Sequence, residues 1–321
     1  MISVIIPVFN VEEYLDKCLE SILTNTYRDL EVICVNDGST DRCPEILRKW
    51  KERDPRVIVV NQDNRGLPEA RNSGLAVMSG DYTAFIDADD RVHPQYFESM
   101  LNCMETTDAD MVVCGVREFA VDETVGVTEV SKLEYRELTE CEFYKNKYAR
   151  RMIWGRLLRK RDTQNLRFPA EVDAHQDTLY NLRLIAHIKD PKVYMIDTPM
   201  YYYLQRPDSL FKQRSYEEMI EIADWYVNNK EDPLHQKGGE WSELLLFHTI
   251  STVLSCRYQA ALFGNQELTR HTNVLLQNLM ACMQKDKTIS LKNKATRKIM
   301  ILFPFLYRCF RKYQKTEIKV E

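Results

Sequence analysis

No stretch of the 321 residues reaches the 18 apolar residues that a membrane-spanning helix needs. Glycine is scarce, at ten residues, and none of it builds the Gly-rich turn after a first strand that a dinucleotide-binding dehydrogenase requires. A Gly-rich loop with a lysine, expected of a sugar nucleotidyltransferase, is missing from the same place. The absence of a G-x-S-x-G turn and of an H-E-x-x-H pair disfavours a hydrolase. Nine cysteines form no C-x-x-C pair and no regular framework, so free thiols in a reducing cytosol are expected. The first residues, Met1 to Pro7, carry no basic region ahead of their short apolar run and read as a strand rather than a signal peptide. Internal repeats and low-complexity segments are also absent.

A large charge excess is lacking too: the formal net charge of −4 singles out no partner and gives no sign of nucleic acid. Its distribution is uneven. From Lys285 to Glu321 there are eleven Lys or Arg against three Asp or Glu, whereas the remainder carries 33 basic and 45 acidic residues. An acidic body therefore carries a basic tail.

Apolar runs at Ser3–Val8, Glu31–Val35, Val57–Val60, Tyr82–Ile86 and Ala109–Cys114 alternate with helical spacing. Asn10 with Glu13 is placed to cap a first helix, Pro44 opens a second, Leu67–Met78 forms a third and Tyr96–Glu105 a fourth. This alternation predicts an α/β fold with a mostly parallel, Rossmann-like sheet flanked by helices. The period blurs from 117 to 150, with a helix expected around 140–148. It resumes with Trp154–Leu158, a helix over Asp177–His187 and a Tyr-rich closing strand over Val193–Leu204. Beyond a boundary near 213 the chain reads as helical, with a capping box at Ser215 and Glu218 and helices over 241–263 and 266–283.

The organising stretch is Tyr82 to Asp90, where an apolar strand runs into Asp87, Asp89 and Asp90. Ligands of parallel sheets sit beyond the carboxyl ends of the strands, and clustered carboxylates repel unless a cation lies among them. Hard oxygen donors suit Mg²⁺ or Mn²⁺ bridging to phosphates. The same residues also suit an Asp-rich turn that caps the next helix.

Taken together, Pro7-Val8-Phe9-Asn10, Val35 to Asp41, Asn64-Arg65-Gly66 with Ala70 to Gly74, and Phe85 to Asp90 resemble the inverting family 2 glycosyltransferases of the A-type fold, the nucleotide-diphospho-sugar transferase sheet. The likeness is strongest over residues 2–115. It returns at Trp154–Leu158, Leu166–Pro169, His175–Asn181 and Tyr201–Ser209; the last hundred residues carry no signature of the family. The resemblance implies a catalytic domain over 1–213, with a nucleotide-sugar half over 1–115 and an acceptor half over 116–213, followed by a helical region with a basic tail over 214–321. It also implies the pocket. Pro7, Val8 and Phe9 shape a turn against the nucleoside, and Asp37 accepts a hydrogen bond from the base, unless it only caps a helix entry. Arg71 either reaches the diphosphate or forms a structural ion pair, while Asn72 and Gly74 allow close helix-to-strand packing.

Asp87 and Asp89, around Ala88, match the Asp-x-Asp pair. Asp89 is the expected direct ligand of Mn²⁺ or Mg²⁺, and Asp87 lies nearer the sugar or ribose. Asp90 orients the loop or the sugar, or caps a helix. Asp177 matches the catalytic base, although Gln176 stands where relatives commonly have Glu, and Asn36 where many have Asp. Trp154, Arg156, Arg206 and Ser209 match positions near acceptor and diphosphate, with packing or ion-pair roles equally open. The implied activity is transfer from a nucleotide sugar, a UDP-sugar by family weight, to a glycan or lipid-linked glycan. The alternative is an inactive relative that keeps the nucleotide pocket, a reading that only Gln176 supports. Ile299–Tyr307, flanked by basic residues, suits either peripheral contact with an anionic membrane from the cytoplasmic side or a packed final helix.

Overall fold

The computed structural model describes residues 1–206 except 122, 124–125, 127–132, 140–141, 144–145, 147–148, 150–151, 171–175 and 189, and then 223–228, 249–250, 253–254, 256–257 and 264–285. The chain divides into two compact units, Met1–Gln213 and Arg214–Glu321. The capping box at Ser215, the tail beyond 285 and most of the helices expected over 140–148 and 241–263 lie outside the described residues.

In the first unit, β1 (Ile2–Val8), β2 (Leu30–Asp37), β3 (Val57–Gln62) and β4 (Tyr82–Phe85) alternate with α1 (Leu15–Leu23), α2 (Cys43–Arg53) and α3 (Leu67–Val77). There follow β5 (Arg91–Val92), α4 (Tyr96–Thr107), β6 (Met111–Ala120), β7 (Tyr135–Leu138), β8 (Arg156–Arg159), α5 (Lys160–Thr163), α6 (Gln176–His187) and β9 (Val193–Gln205). One sheet holds all nine described strands, in the order β3-β2-β1-β4-β8-β6-β9-β5, with β7 paired to β9. Strands β1 to β4, β6 and β9 run one way; β8 inserts antiparallel between β4 and β6, and β5 and β7 run against β9. Both expected halves of the unit share this sheet.

Strands β1, β2 and β4 are near-continuous apolar runs because both faces are covered. Ile2, Val4, Ile6 and Val8 join a core with Leu15, Cys18, Leu19 and Ile22 of α1, Leu47 of α2 and Met100 of α4. On the opposite face α3 presses against β1, where a Cβ added to Gly74 would stand 2.4 Å from Ile5 Cγ2. The packing role expected of Gly74 is therefore explicit.

The chain leaves β1 towards β2 on one side, yet β4 returns to β1 from the other, after α3. This reversal opens a crevice beyond the carboxyl ends of β1 and β4, the usual ligand position in an open α/β sheet. Phe9 and Asp87 leave their strands there.

One local expectation is corrected. Asn10 does not cap α1, which begins only at Leu15; Asn10 adopts a left-handed φ of 51° and its Oδ1 accepts the Thr40 N–H at 2.8 Å. Asp41 and Glu12 reciprocate, accepting the backbone N–H groups of Glu12 and Arg42 at 2.9 and 2.7 Å. A short polar side chain can satisfy the neighbouring loop as well as its own helix, and here the loop wins. In the second unit the long described helix is α7 (Gln266–Lys285), with Asn265 Oδ1 accepting the Leu268 N–H at 2.9 Å. Among the described residues no helix is long and apolar enough to cross a membrane.

Candidate active site

The acids singled out from the sequence gather around two arginines. Arg71, on α3, donates from Nη2 to Asp87 Oδ1 at 2.9 Å and from Nη1 to Asp177 Oδ1 at 2.5 Å. Asp177 stands in the first turn of α6 and accepts the Ile153 N–H on Oδ2 at 3.2 Å. Two residues past Asp87, Asp89 pairs with Arg206 at 2.8 Å, and the Arg206 guanidinium lies over the Tyr14 ring. Asp87, Asp89, Asp177, Arg71 and Arg206 thus form one constellation drawn from four places in the chain.

The electrostatics follow from burial. Burial pushes the Asp87 carboxyl up to about 6, against the opposing pull of Arg71, with Asp89 and Asp177 adding repulsion. Burial alone would lower the Arg71 guanidinium, but Asp177 and Asp87 outweigh it and hold it above its ordinary value.

Asp90 faces inward. It is wholly buried, its Oδ2 accepting the Tyr201 hydroxyl at 2.6 Å and its Oδ1 the Leu204 N–H at 2.8 Å. The sugar contact expected of it gives way to the loop-orienting role, and burial with the nearby charges of Asp89 and Asp87 raises its pKa well above the carboxylate range. Tyr201 also accepts the Asp87 N–H at 3.2 Å, so β9 grips the acidic turn at Asp87, Asp90 and, through Arg206, Asp89. Sequence reasoning missed Tyr201, since nothing distinguishes it from its neighbours in a Tyr-rich strand.

Other expected contacts are also turned inward. Trp154 is buried, stacked on Tyr201 at 4.4 Å and on Tyr203 at 5.1 Å, so its ring serves packing. Asp37 is consumed by its own surroundings: Gln62 Nε2 and the Arg65 N–H donate to Oδ1 at 2.7 and 2.9 Å, and the Gly66 N–H to Oδ2 at 2.9 Å. It therefore fixes the loop after β3 at the rim of the crevice. Pro7, Val8 and Ala88 are buried at the strand ends, whereas Phe9 is 45% exposed and offers an apolar face there. Asn72 does more than make room for packing: its amide accepts the Phe168 N–H and donates to the Phe168 carbonyl, at 2.8 and 3.1 Å.

Arg156 is buried behind Asp177, donating to Asn181 Oδ1 at 2.9 Å and to the carbonyls of Ala149 and Met152. These bonds hold the segment from which Ile153 reaches Asp177. Burial lowers the Arg156 pKa to about 10, so it remains charged at neutral pH.

Among the described residues no three His, Cys, Asp or Glu side chains stand together as a ready-made ligand set. The carboxylates of Asp87 and Asp89 nevertheless fit a hard divalent cation, because Mg²⁺-like ions take one or two protein carboxylates and complete their shell with phosphate oxygens and water.

A mostly parallel sheet with a switch-point crevice lined by acids is the architecture of an open α/β ligand-binding unit. Residues 3–167 match the model of glycosyl transferase family 2, and the chain belongs to that family. The glycosyltransferase GlyA of Streptococcus pneumoniae is 33% identical over 233 residues, 70% of this chain and 33% of GlyA. The uncharacterized glycosyltransferase EpsJ of Bacillus subtilis is 34% identical over 218 residues, 65% of this chain and 62% of EpsJ. The chain therefore spans from a third to about three-fifths of these relatives. The crystal structure of Staphylococcus aureus TarS 1–349 with UDP-GlcNAc has the same fold, with a TM-score of 0.65 at 19% identity over 89% of this chain and 81% of that one.

Proposed function

We propose that the protein is an inverting glycosyltransferase that moves a sugar from a nucleotide donor, a UDP-sugar, to a hydroxyl of a glycan or lipid-linked glycan in cell-surface polysaccharide synthesis. The observation that carries this reading is the convergence of Asp87, Asp89 and Asp177 at the switch-point crevice, with Asp177 delivered from a separate helix. The UDP-GlcNAc complex of TarS and a 26% identical relative, the poly(ribitol-phosphate) beta-glucosyltransferase of Bacillus spizizenii, support the donor and acceptor class.

In this reading Phe9 and the loop fixed by Asp37 receive the nucleoside, and Asp89 and Asp87 hold Mn²⁺ or Mg²⁺. The cation supplies neutralisation of the charge that grows on the departing diphosphate. Asp177 accepts the proton of the attacking hydroxyl; the new C–O bond forms as the anomeric C–O bond breaks, and its electron pair leaves on the nucleoside diphosphate. Arg206, paired with Asp89 at the acidic turn, would supply positive charge toward that diphosphate.

A thermal-shift screen of nucleotide sugars with and without Mn²⁺, followed by a transfer assay, tests the reading. Stabilisation by UDP-sugars only with Mn²⁺, together with turnover, is the expected result. Binding without turnover points to an inactive relative, and no binding removes the proposal.

The basic tail adds a location. Its Phe303, Phe305, Leu306 and Tyr307 among Arg297, Lys298, Arg308, Arg311 and Lys312 suit the surface of an anionic membrane on the cytoplasmic side, where a lipid-linked acceptor is presented. Sedimentation with anionic vesicles should fall as salt rises and vanish on truncation after Lys294. Equal supernatant fractions for both forms would make the tail purely structural.

A further inference from the structure

Arg71 is 1% exposed, and both of its terminal nitrogens are spent on carboxylates. Its Nε is buried without a hydrogen-bond partner, and the Phe168 ring lies 5.3 Å from its Cζ. Phe168 is itself fixed, stacked on Tyr180 at 4.0 Å, edge-on to Phe85 and clamped through its backbone by Asn72. The helix that carries Arg71 can come this near because Gly74 leaves no Cβ against Ile5. Three residues within one turn of α3, Arg71, Asn72 and Gly74, therefore bring the guanidinium to the acids, clamp the aromatic beside it and allow the close approach. Turning Arg71 out to a phosphate would strip two partly buried carboxylates of their counter-charge, leaving buried charge uncompensated.

We propose that Arg71 is a positioning residue for glycosyl transfer: a strut whose two Nη groups hold the base Asp177 and the donor-side Asp87 in fixed relation, and which does not touch the donor diphosphate. The proposal rests on Asp177 acting as base. It draws on the geometry of a guanidinium, since a lysine ammonium is a point charge and lacks the rigid fork that spans two carboxylates.

The test uses the full chain as R71K, R71Q, D177N and R71K/D177N, with folding checked by circular dichroism. UDP binding with Mn²⁺ is measured by calorimetry, and kcat as UDP release from UDP-GlcNAc. R71K should keep UDP affinity within about threefold while kcat falls at least about 50-fold, and adding R71K to D177N should change the rate by less than about threefold. R71Q carries the same comparison where R71K does not fold. UDP affinity weakened more than about tenfold with kcat retained makes Arg71 a diphosphate contact and overturns the proposal; so do R71K and D177N losses that multiply. A wild-type rate in D177N alone instead removes the base reading, so the two failures are told apart.

Discussion

Asp89 lies on a turn and not in the apolar core, so Asp89→Asn should leave the fold intact while UDP binding loses its Mn²⁺ dependence and transfer is abolished. Full activity in that variant would sink the assignment of the cation. Tyr201→Phe is a finer probe. It keeps the ring stacked on Trp154 but removes the hydroxyl that joins Asp87 to Asp90. Loss of these bonds should destabilise the protein by about 1–3 kcal/mol in urea unfolding and weaken UDP binding with Mn²⁺. Unchanged UDP affinity would mean that the acidic turn does not need its grip on β9. The acids were legible in the sequence because three carboxylates after an apolar strand are out of place in a core. The directions of Asp90 and Trp154 were not, because residues outside helices and strands have no fixed period that says which side chain points inward.

Glu31 near the start of β2 shows what the sequence pattern conceals at the level of elements. It reads as one polar residue before an apolar run, yet it is buried and accepts bonds from the Ser3 hydroxyl, the Ser79 N–H and hydroxyl, and the Gly80 N–H. It thereby ties the entries of β1, β2 and β4 together. Burial alone would raise its pKa, but these hydrogen bonds outweigh burial and hold it below the usual glutamate range. A depressed folded-state pKa contributes stability above the unfolded value near 4.5 and loses it as pH falls through the folded value. Glu31→Gln should therefore cost about 2–3 kcal/mol at pH 7 in denaturant unfolding, with the gap to wild type closing in acid. A gap independent of pH would deny the carboxylate this role. Gly74→Ala should destabilise by about 1–3 kcal/mol, less in an Ile5→Ala background where the Cβ finds room. The strands and most helices were legible from apolar runs and helical spacing. The two-residue β5 and the late start of α1 were not, because both are set by partners distant in the chain, Tyr201 and Tyr202 for β5 and Thr40 for Asn10.

Across the whole molecule the raised acids make stability and cation binding depend on pH in a stated direction. A carboxyl lifted to about 6, as at Asp87, favours the folded state below its unfolded pKa, and that contribution is lost as pH rises through about 6. A divalent cation binds the ionised form, so the rise in melting temperature produced by Mn²⁺ should be larger at pH 7.5 than at pH 5. Equal shifts at the two values would separate the acidic turn from the cation. The division of labour within the sheet has a further consequence for the order of folding. Strands β1 to β4 pair among the first 85 residues, but the acidic turn is held by Tyr201, Leu204 and Arg206, more than a hundred residues later. Such distant closures form late, and a chain emerging from the ribosome can assemble its parallel strands well before the turn has its partners on β9. The nascent protein would thus acquire its switch-point crevice first and the full set of contacts on the acidic turn only when β9 has joined the sheet.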